Sequence, residues 1–214
     1  INNVEFFDES TDITIIGMLD NQLKLIILPK KNISIYEEKK SLIGDKIVDL
    51  KLNDHLIKKD LIIDLGNSEK LIEQIFNLTN LALCSESIGV SQSILDKTLE
   101  YLTNRDAFGK KIGTFQSIQH KCAEIYICIN EVRELIRNAS KNINNKEFSR
   151  LVSMSKIKSD LELGKISWIS HQLHGAIGFT WDYGLHLYTK KILINKSLGG
   201  DLSFHSTRLY PDGN

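Results

Sequence analysis

Apolar and polar residues follow one rhythm in the first third of the chain and another in the rest. From Thr11 to about Ile63 the apolar positions come in short runs rich in β-branched residues and leucine: DITIIGML, QLKLIILP and KIVDLKL. Runs of this length bounded by turn residues predict strands. The boundaries are the Asp20-Asn21 pair, Pro29 and Gly44. LIILP is almost unbroken, which predicts a buried strand ended by a proline that cannot donate to a ladder. Three or four such strands make a small sheet, too little for a self-standing domain.

Beyond Asn67 the period lengthens. Asn67 or Ser68 can cap a helix in which Leu71, Ile75, Leu78, Ala82, Ile88, Ile94, Leu95 and Leu99 recur at helical spacing to about Thr103. Thr114 opens a second helix, whose stripe is Ile118, Cys122, Ile125, Ile129, Val132, Ile136 and Ala139, and the NINNK stretch ends it. A third runs from about Lys146 to His174, with Leu151, Met154, Ile157, Leu161, Ile166, Trp168, Ile169 and Leu173 on one side. Gly175 and Gly178 break it, and a shorter helix spans about Leu185 to Leu198. Four amphipathic helices with short or glycine-marked connections predict an antiparallel four-helix bundle. The fold class is therefore mainly α, preceded by a small β segment.

Composition narrows the function classes. The 214 residues are 42% apolar and 25% charged, as in a globular protein with a sizeable core. Lysine plus arginine equal aspartate plus glutamate at 27 each, so no global field draws the chain to nucleic acid or an anionic membrane. A small-molecule ligand or a protein partner fits better. The three cysteines, Cys84, Cys122 and Cys128, sit in apolar periodic stretches and read as reduced core thiols of a cytoplasmic protein. No apolar run is long enough to span a bilayer, and no signal peptide is evident. The chain opens on Ile1, and its start reads like the interior of a longer sequence.

Two glycine-marked corners carry the candidate chemistry. In NRDAFGKKIGTFQSIQH, Arg105 follows a helix end, Phe108 and Gly109 turn the chain, and Gln116 begins the next helix. An arginine fork beside a helix N-terminus suits a pyrophosphate; an interhelical arginine also serves as an ordinary surface ion pair. In HQLHGAIGFTWDYGLHLY, Gln172 and His174 precede a turn in which Gly175 and Gly178 permit close backbone approach. Phe179, Trp181 and Tyr183 come next, and they fit core packing as well as a ligand. His171, His174 and His186 have no suitably spaced acidic or cysteine companion, which argues against a metal.

Together, RDAFGKKIGTFQSIQHKCAEIY and the later QLHGAIGFTWDYGLHLYTKK resemble the C-terminal helical domain of the acyl-CoA dehydrogenase family. There a first helix ends in an arginine, an FG turn and an FQ pair, and a later helix ends in a QxxGGxG-like turn. The likeness runs from about residue 65 to 209. LKLIILPKKNISIYEE and VDLKLNDHLI are similar to the later part of the family's middle β-domain. The resemblance implies a partial β-domain over 1–64 and an FAD-contacting, oligomerising bundle over 65–214. It implies no counterpart of the family's N-terminal helical domain before Ile1. By the same likeness, Arg105, Phe108 and Gln116 lie against the adenine dinucleotide part of FAD. Gln172, Leu173, His174, Gly175 and Ala176 line its ADP portion from the other side, the two sets coming from different subunits. Ala176 stands where the family usually has a second glycine.

Acyl-CoA dehydrogenation needs a carboxylate to take the α-proton while a hydride passes to the flavin. The position implied for that glutamate reads Gly199; the alternative on the first long helix reads Thr79, with Asn80 next. The nearest carboxylates are Glu86 and Asp201. GFTWDYGLHLYTKKILINKSLGGDLSFHSTRL is similar to the ending of subunits from heterotetrameric bacterial members, in which only one subunit type carries the base. The resemblance thus implies an FAD-dependent subunit without a base, acting on an acyl-CoA thioester with a second dehydrogenase subunit in a dimer of dimers. An electron-transfer flavoprotein is the implied acceptor. The other readings are a self-sufficient enzyme using Glu86 or Asp201, and a non-enzymatic helical scaffold.

Overall fold

The change of period after Asn67 is a change of architecture. The computed structural model describes residues 4–5, 10, 12–19, 22–52, 57–66 and 69–210, and the chain divides into two units, Ile1–Ile72 and Glu73–Asn214. In the first, β1 (Val4–Glu5), β2 (Asp12–Leu19), β3 (Gln22–Pro29), β4 (Ile33–Lys40), β5 (Lys46–Leu52) and β6 (Ile62–Gly66) form two antiparallel sheets, ordered β1-β5-β4 and β2-β3-β6. β2 pairs with β3 as far as Leu19↔Gln22. The Asp20-Asn21 turn, like the Asn67 and Ser68 caps, lies outside the described residues.

Val48 and Leu50 are buried, with Val4, Ile13 and Ile33 packed on them, so residues of both sheets share this small core. β3 does end at Pro29, but of its residues only Leu28 is fully buried; Leu23 to Ile27 stay half-covered. A core this thin cannot close over a whole strand. The strand ISIYEEKK, β4, escapes the sequence pattern because its second half is charged and exposed, as suits the edge position it holds.

The second unit contains the four expected helices: α1 (Glu69–Asn104), which starts just before it, α2 (Gln116–Lys141), α3 (Phe148–His174) and α4 (Leu185–Ser197). A fifth, α5 (Leu202–Leu209), completes it. Asp201 caps α5, its Oδ1 accepting the Phe204 N–H at 2.8 Å. α3 is central and packs against α2, α4 and α5. Ile125, Ile129, Val132, Ile136 and Ala139 of α2 are buried as their spacing predicts.

α1 and α3 present a different face from the one their leucines suggest. On α1 the buried line runs Asn77, Asn80, Leu81, Cys84, Ser87, Ile88, Ser91, Ile94, Leu95, Thr98 and Leu102, while Leu71, Ile75, Leu78 and Leu99 are exposed. On α3, Ser153, Ser155, Ser159, Ser167 and Ser170 lie inside, and Leu161 and Trp168 outside. Several of these small hydroxyl residues answer their own polarity. Ser87, Thr98 and Ser155 each donate to the carbonyl four residues back, at 2.9, 2.7 and 2.8 Å, and so pack as compact side chains. Of the cysteines, Cys84 is buried, its thiol pushed up to about 12 by that burial; Cys122 and Cys128 are half-buried.

Two polar groups fix the end of α4. Lys156, 1% exposed, donates through Nζ to both carboxylate oxygens of Asp160 at 2.9 Å and to the carbonyls of Asn195 and Lys196 at 3.0 and 3.3 Å. Burial raises the Asp160 carboxyl pKa, against the pull of Lys156. His205, fully buried, donates its Nε2–H to the Gly199 carbonyl at 2.9 Å and accepts at Nδ1 from Ser153. Burial lowers the His205 pKa.

Lys156→Met should destabilise the bundle by about 3–5 kcal/mol, because Asp160 is left buried and uncompensated, while adding Asp160→Leu should recover most of the loss. Denaturant midpoints of both variants check this. A histidine held neutral by the fold binds its proton more readily in the unfolded chain, so stability is full above the unfolded pKa of about 6.5 and is lost as pH falls below it. Melting temperatures measured between neutral and mildly acidic pH should fall, and the slope should be shallower in His205→Gln.

Candidate functional site

At the first corner α1 stops at Asn104 and a short hairpin intervenes: β7 (Asp106–Ala107) pairs with β8 (Lys110–Lys111) in the register Asp106↔Lys111 and Ala107↔Lys110. Its two-residue loop is Phe108-Gly109, with φ of +54° and +77°. Two positive φ values mark a mirror-image hairpin turn, which favours asparagine or glycine at its first position. Phenylalanine there costs roughly 1–2 kcal/mol. The strained ring is 93% exposed, touching Phe115 edge-on at 6.3 Å. Arg105 is exposed, its N–H bonded to the Tyr101 carbonyl at 2.9 Å. Its guanidinium has no partner among the described residues. A 3-10 turn over Ile112–Thr114 delays the next helix, so α2 begins at Gln116 and not at Thr114. No side chain caps α2, which leaves first-turn N–H groups and the positive end of its dipole available to an anion.

The second corner is tighter. α3 ends at His174, Gly175 turns with φ +65°, and a 3-10 turn runs over Gly175–Phe179. A Cβ on Gly178 would lie 2.8 Å from the His174 Cβ and 3.0 Å from the His171 carbonyl oxygen, so only glycine fits. His171 Nδ1–H donates to the Gly178 carbonyl, and Nε2 accepts from the Thr189 hydroxyl, both at 2.8 Å. His174 Nδ1–H donates to the Ser170 carbonyl at 2.8 Å, while its buried Nε2 has no partner among the described residues. Burial lowers the pKa of both rings and keeps them neutral.

The residues implied for FAD therefore separate. Gln172 and Gly175 line a cavity of about 530 Å³ with Lys165, Trp168, Ile169 and Phe179. Leu173 packs against the core, His174 is buried, and Ala176 is exposed on the turn. The His174 ring stacks on Tyr101 at 4.7 Å and meets Tyr183 at 4.9 Å. Because the Tyr101 carbonyl also holds the Arg105 N–H, one residue joins the two corners. Sequence reasoning missed Trp168 as a site residue and left Phe179 open between core packing and a ligand. The available signal was position: Trp168 lies one helical turn before Gln172, and Phe179 directly succeeds Gly178.

The two places at which a base was sought also meet. Gly199 adopts φ +73°, and a Cβ there would fall 2.3 Å from Asn80 Oδ1. Asn80 is fully buried, its Nδ2 donating to the Phe76 carbonyl at 3.1 Å. The Thr79 hydroxyl donates to the Ile75 carbonyl at 2.9 Å. Glu86 pairs with Lys191 at 3.0 Å and accepts from Asn195 Nδ2 at 3.0 Å, and Asp201 is the α5 cap. Each nearby carboxylate has a structural partner. Among the described residues no helix is long and apolar enough to cross a membrane.

Comparison with known proteins bears on the family and the fold of the chain. The chain is 32% identical over 113 residues to the acyl-CoA dehydrogenase IpdE2 of Mycobacterium tuberculosis, covering 52% of this chain and 34% of that one. It is 28% identical over 149 residues to the caffeyl-CoA reductase-Etf complex subunit CarC of Acetobacterium woodii, covering 69% and 39%. It spans little more than a third of the length of either relative. A chain of the ChsE4–ChsE5 complex from Mycobacterium tuberculosis superposes with a TM-score of 0.85 over 99% of this chain and 57% of that one, at 17% identity, which bears on the fold. The family model for the acyl-CoA dehydrogenase C-terminal domain matches residues 70–208, and the chain belongs to the acyl-CoA dehydrogenase family.

Proposed function

We propose that this chain is an acyl-CoA dehydrogenase-like subunit that helps bind FAD for α,β-dehydrogenation of an acyl-CoA thioester and supplies no base of its own. The observation that carries the second half is the contact at Gly199. A residue at φ +73° whose Cβ would meet the buried Asn80 amide at 2.3 Å has no room for a glutamate side chain.

The chemistry of the two corners fits FAD. The open Arg105 guanidinium beside the uncapped start of α2 suits a pyrophosphate, with Phe108 and Gln116 flanking it. The apolar cavity beside Gln172 and Gly175 suits a flat ring system, with Leu173, His174 and Ala176 holding its wall in shape. When bound, FAD supplies the ring that accepts the hydride. Of this chain's residues, Arg105 would neutralise the diphosphate, and the cavity would give a nucleotide half an apolar wall. A carboxylate of a second dehydrogenase subunit in a dimer of dimers would take the α-proton, and an electron-transfer flavoprotein would be the acceptor. Two relatives whose names state a complex, CarC and the ChsE4–ChsE5 chain, support that arrangement. In this reading residues 1–64 belong to the middle β-domain and 65–214 to the oligomerising bundle of a cytoplasmic enzyme.

Flavin absorbance of the purified chain, alone and co-expressed with a dehydrogenase-like partner, tests the proposal. Flavin should require the partner and should fall about tenfold or more in affinity with Arg105→Ala, as expected for a lost charge-assisted contact. Absence of flavin from both preparations would favour the scaffold reading. Gly199→Glu should cost at least about 1–3 kcal/mol through backbone strain and add no turnover to the chain alone. Turnover gained by this single change would refute the closed base position.

A further inference from the structure

The segment from Gly175 to Gly184 joins α3 to α4, and each of its aromatic residues rests on a histidine. Phe179 leans on His171 with ring centroids 5.0 Å apart, Trp181 on His186 at 4.1 Å, and Tyr183 on His174 at 4.9 Å. His171 also holds the segment through its bond to the Gly178 carbonyl. On the side of α1, Tyr183 meets Tyr101 edge-on at 6.2 Å and lies under the Lys97 ammonium group at 4.5 Å.

His171 and His174 are only 5% and 3% exposed. Among the described residues no anion faces either ring: His186 and Thr189 of α4 stand beside His171, while Lys97 and Tyr101 of α1, with Tyr183 and His171, surround His174. Glu100 of α1 faces Tyr183, Lys190 of α4 faces Trp181, and Asp182 is exposed on the segment itself. A proton on either ring is therefore a buried charge without a counter-charge. The Gly178, Ser170 and Lys97 carbonyls favour that proton, but burial outweighs them and lowers both pKa values. Lifting the segment removes Phe179 and Tyr183 from the rings and admits water, which returns each ring toward its free pKa of about 6.5. The open form thus binds protons more readily, so the closed form is fully favoured above about pH 6.5 and loses ground as pH falls below it. We propose that Gly175 to Gly184 is a proton-operated strap, closed over the ends of α1, α3 and α4 while His171 and His174 are neutral and released when they take up protons.

Hydrogen exchange of the strap amides, corrected for intrinsic exchange rates, tests this in the wild-type chain, His171→Asn, His174→Phe and the double variant. Asparagine keeps a donor for the Gly178 carbonyl, and phenylalanine keeps a ring between Tyr101 and Tyr183, but neither titrates. In wild type the opening constant of the strap should rise at least about tenfold between about pH 7.5 and 5.5. Each single variant should show about half that rise on a logarithmic scale, and the double variant should stay within about twofold across the range. Exchange of the buried α2 amides in the same samples separates strap opening from melting of the bundle. Strap protection that is independent of pH in wild type, or lost only in step with the α2 amides, would overturn the proposal. So would a full rise in both single variants or in the double variant, since the two histidines would then not be its source.

Discussion

Much of the helical unit hangs on one buried ammonium group. Lys156 lies within the bundle, and its charge is answered by the Asp160 carboxylate on the same helix and by the last carbonyls of α4. Those carbonyls are the ones a helix end leaves unsatisfied, so a single side chain closes α4 and binds it to α3. The segment after α4 inherits that position: Gly199 is delivered to His205 and Asn80, and α5 starts from the Asp201 cap. Asn195 extends the tie across to α1 through Glu86 and Ser87. The corner residues depend on the same rigidity, because α3 carries both Lys156 and the His171–His174 turn.

Polar groups share the inward faces of the helices with the apolar core. The apolar period located the four long helices within a few residues, and on α2 it also identified the buried stripe. On α1 and α3 it was right only in part: Ile88, Ile94, Leu95 and Ile166 are buried as expected, while Leu71, Ile75, Leu78, Leu99, Leu161 and Trp168 are exposed and serine, threonine and asparagine residues share the inward face. A hydroxyl that donates to its own helix is invisible to a hydrophobicity pattern. The short hairpin after Arg105 was also hidden, since Phe108 does not advertise a positive φ as asparagine would. α5 was missed because its eight residues are held by a cap and a buried histidine, with little periodicity of their own.

The candidate site was legible as two motifs but not as a shape. Arg105, Gln116, Gln172 and Gly175 occupy exposed or cavity-lining places, whereas Leu173 and His174 turn inward. The likeness alone assigns the two corners to different cofactor molecules. The structure adds that within one chain they share a support, the Tyr101 side chain lying on the His174 ring while its carbonyl holds the Arg105 backbone. A neutral ring suits His174, because burial first, and then the nearby His171 and Lys97, disfavour its charged form.

The contact between Asn80 and Gly199 also has a meaning for how such a chain can change over generations. The two positions are epistatic partners. A side chain entering at 199 meets the buried Asn80 amide, while removing that amide first opens a hole in the bundle. Either single substitution is therefore expected to be less stable than the present pair. The contact therefore ties positions 80 and 199 together, so that an exchange at either one is felt at the other.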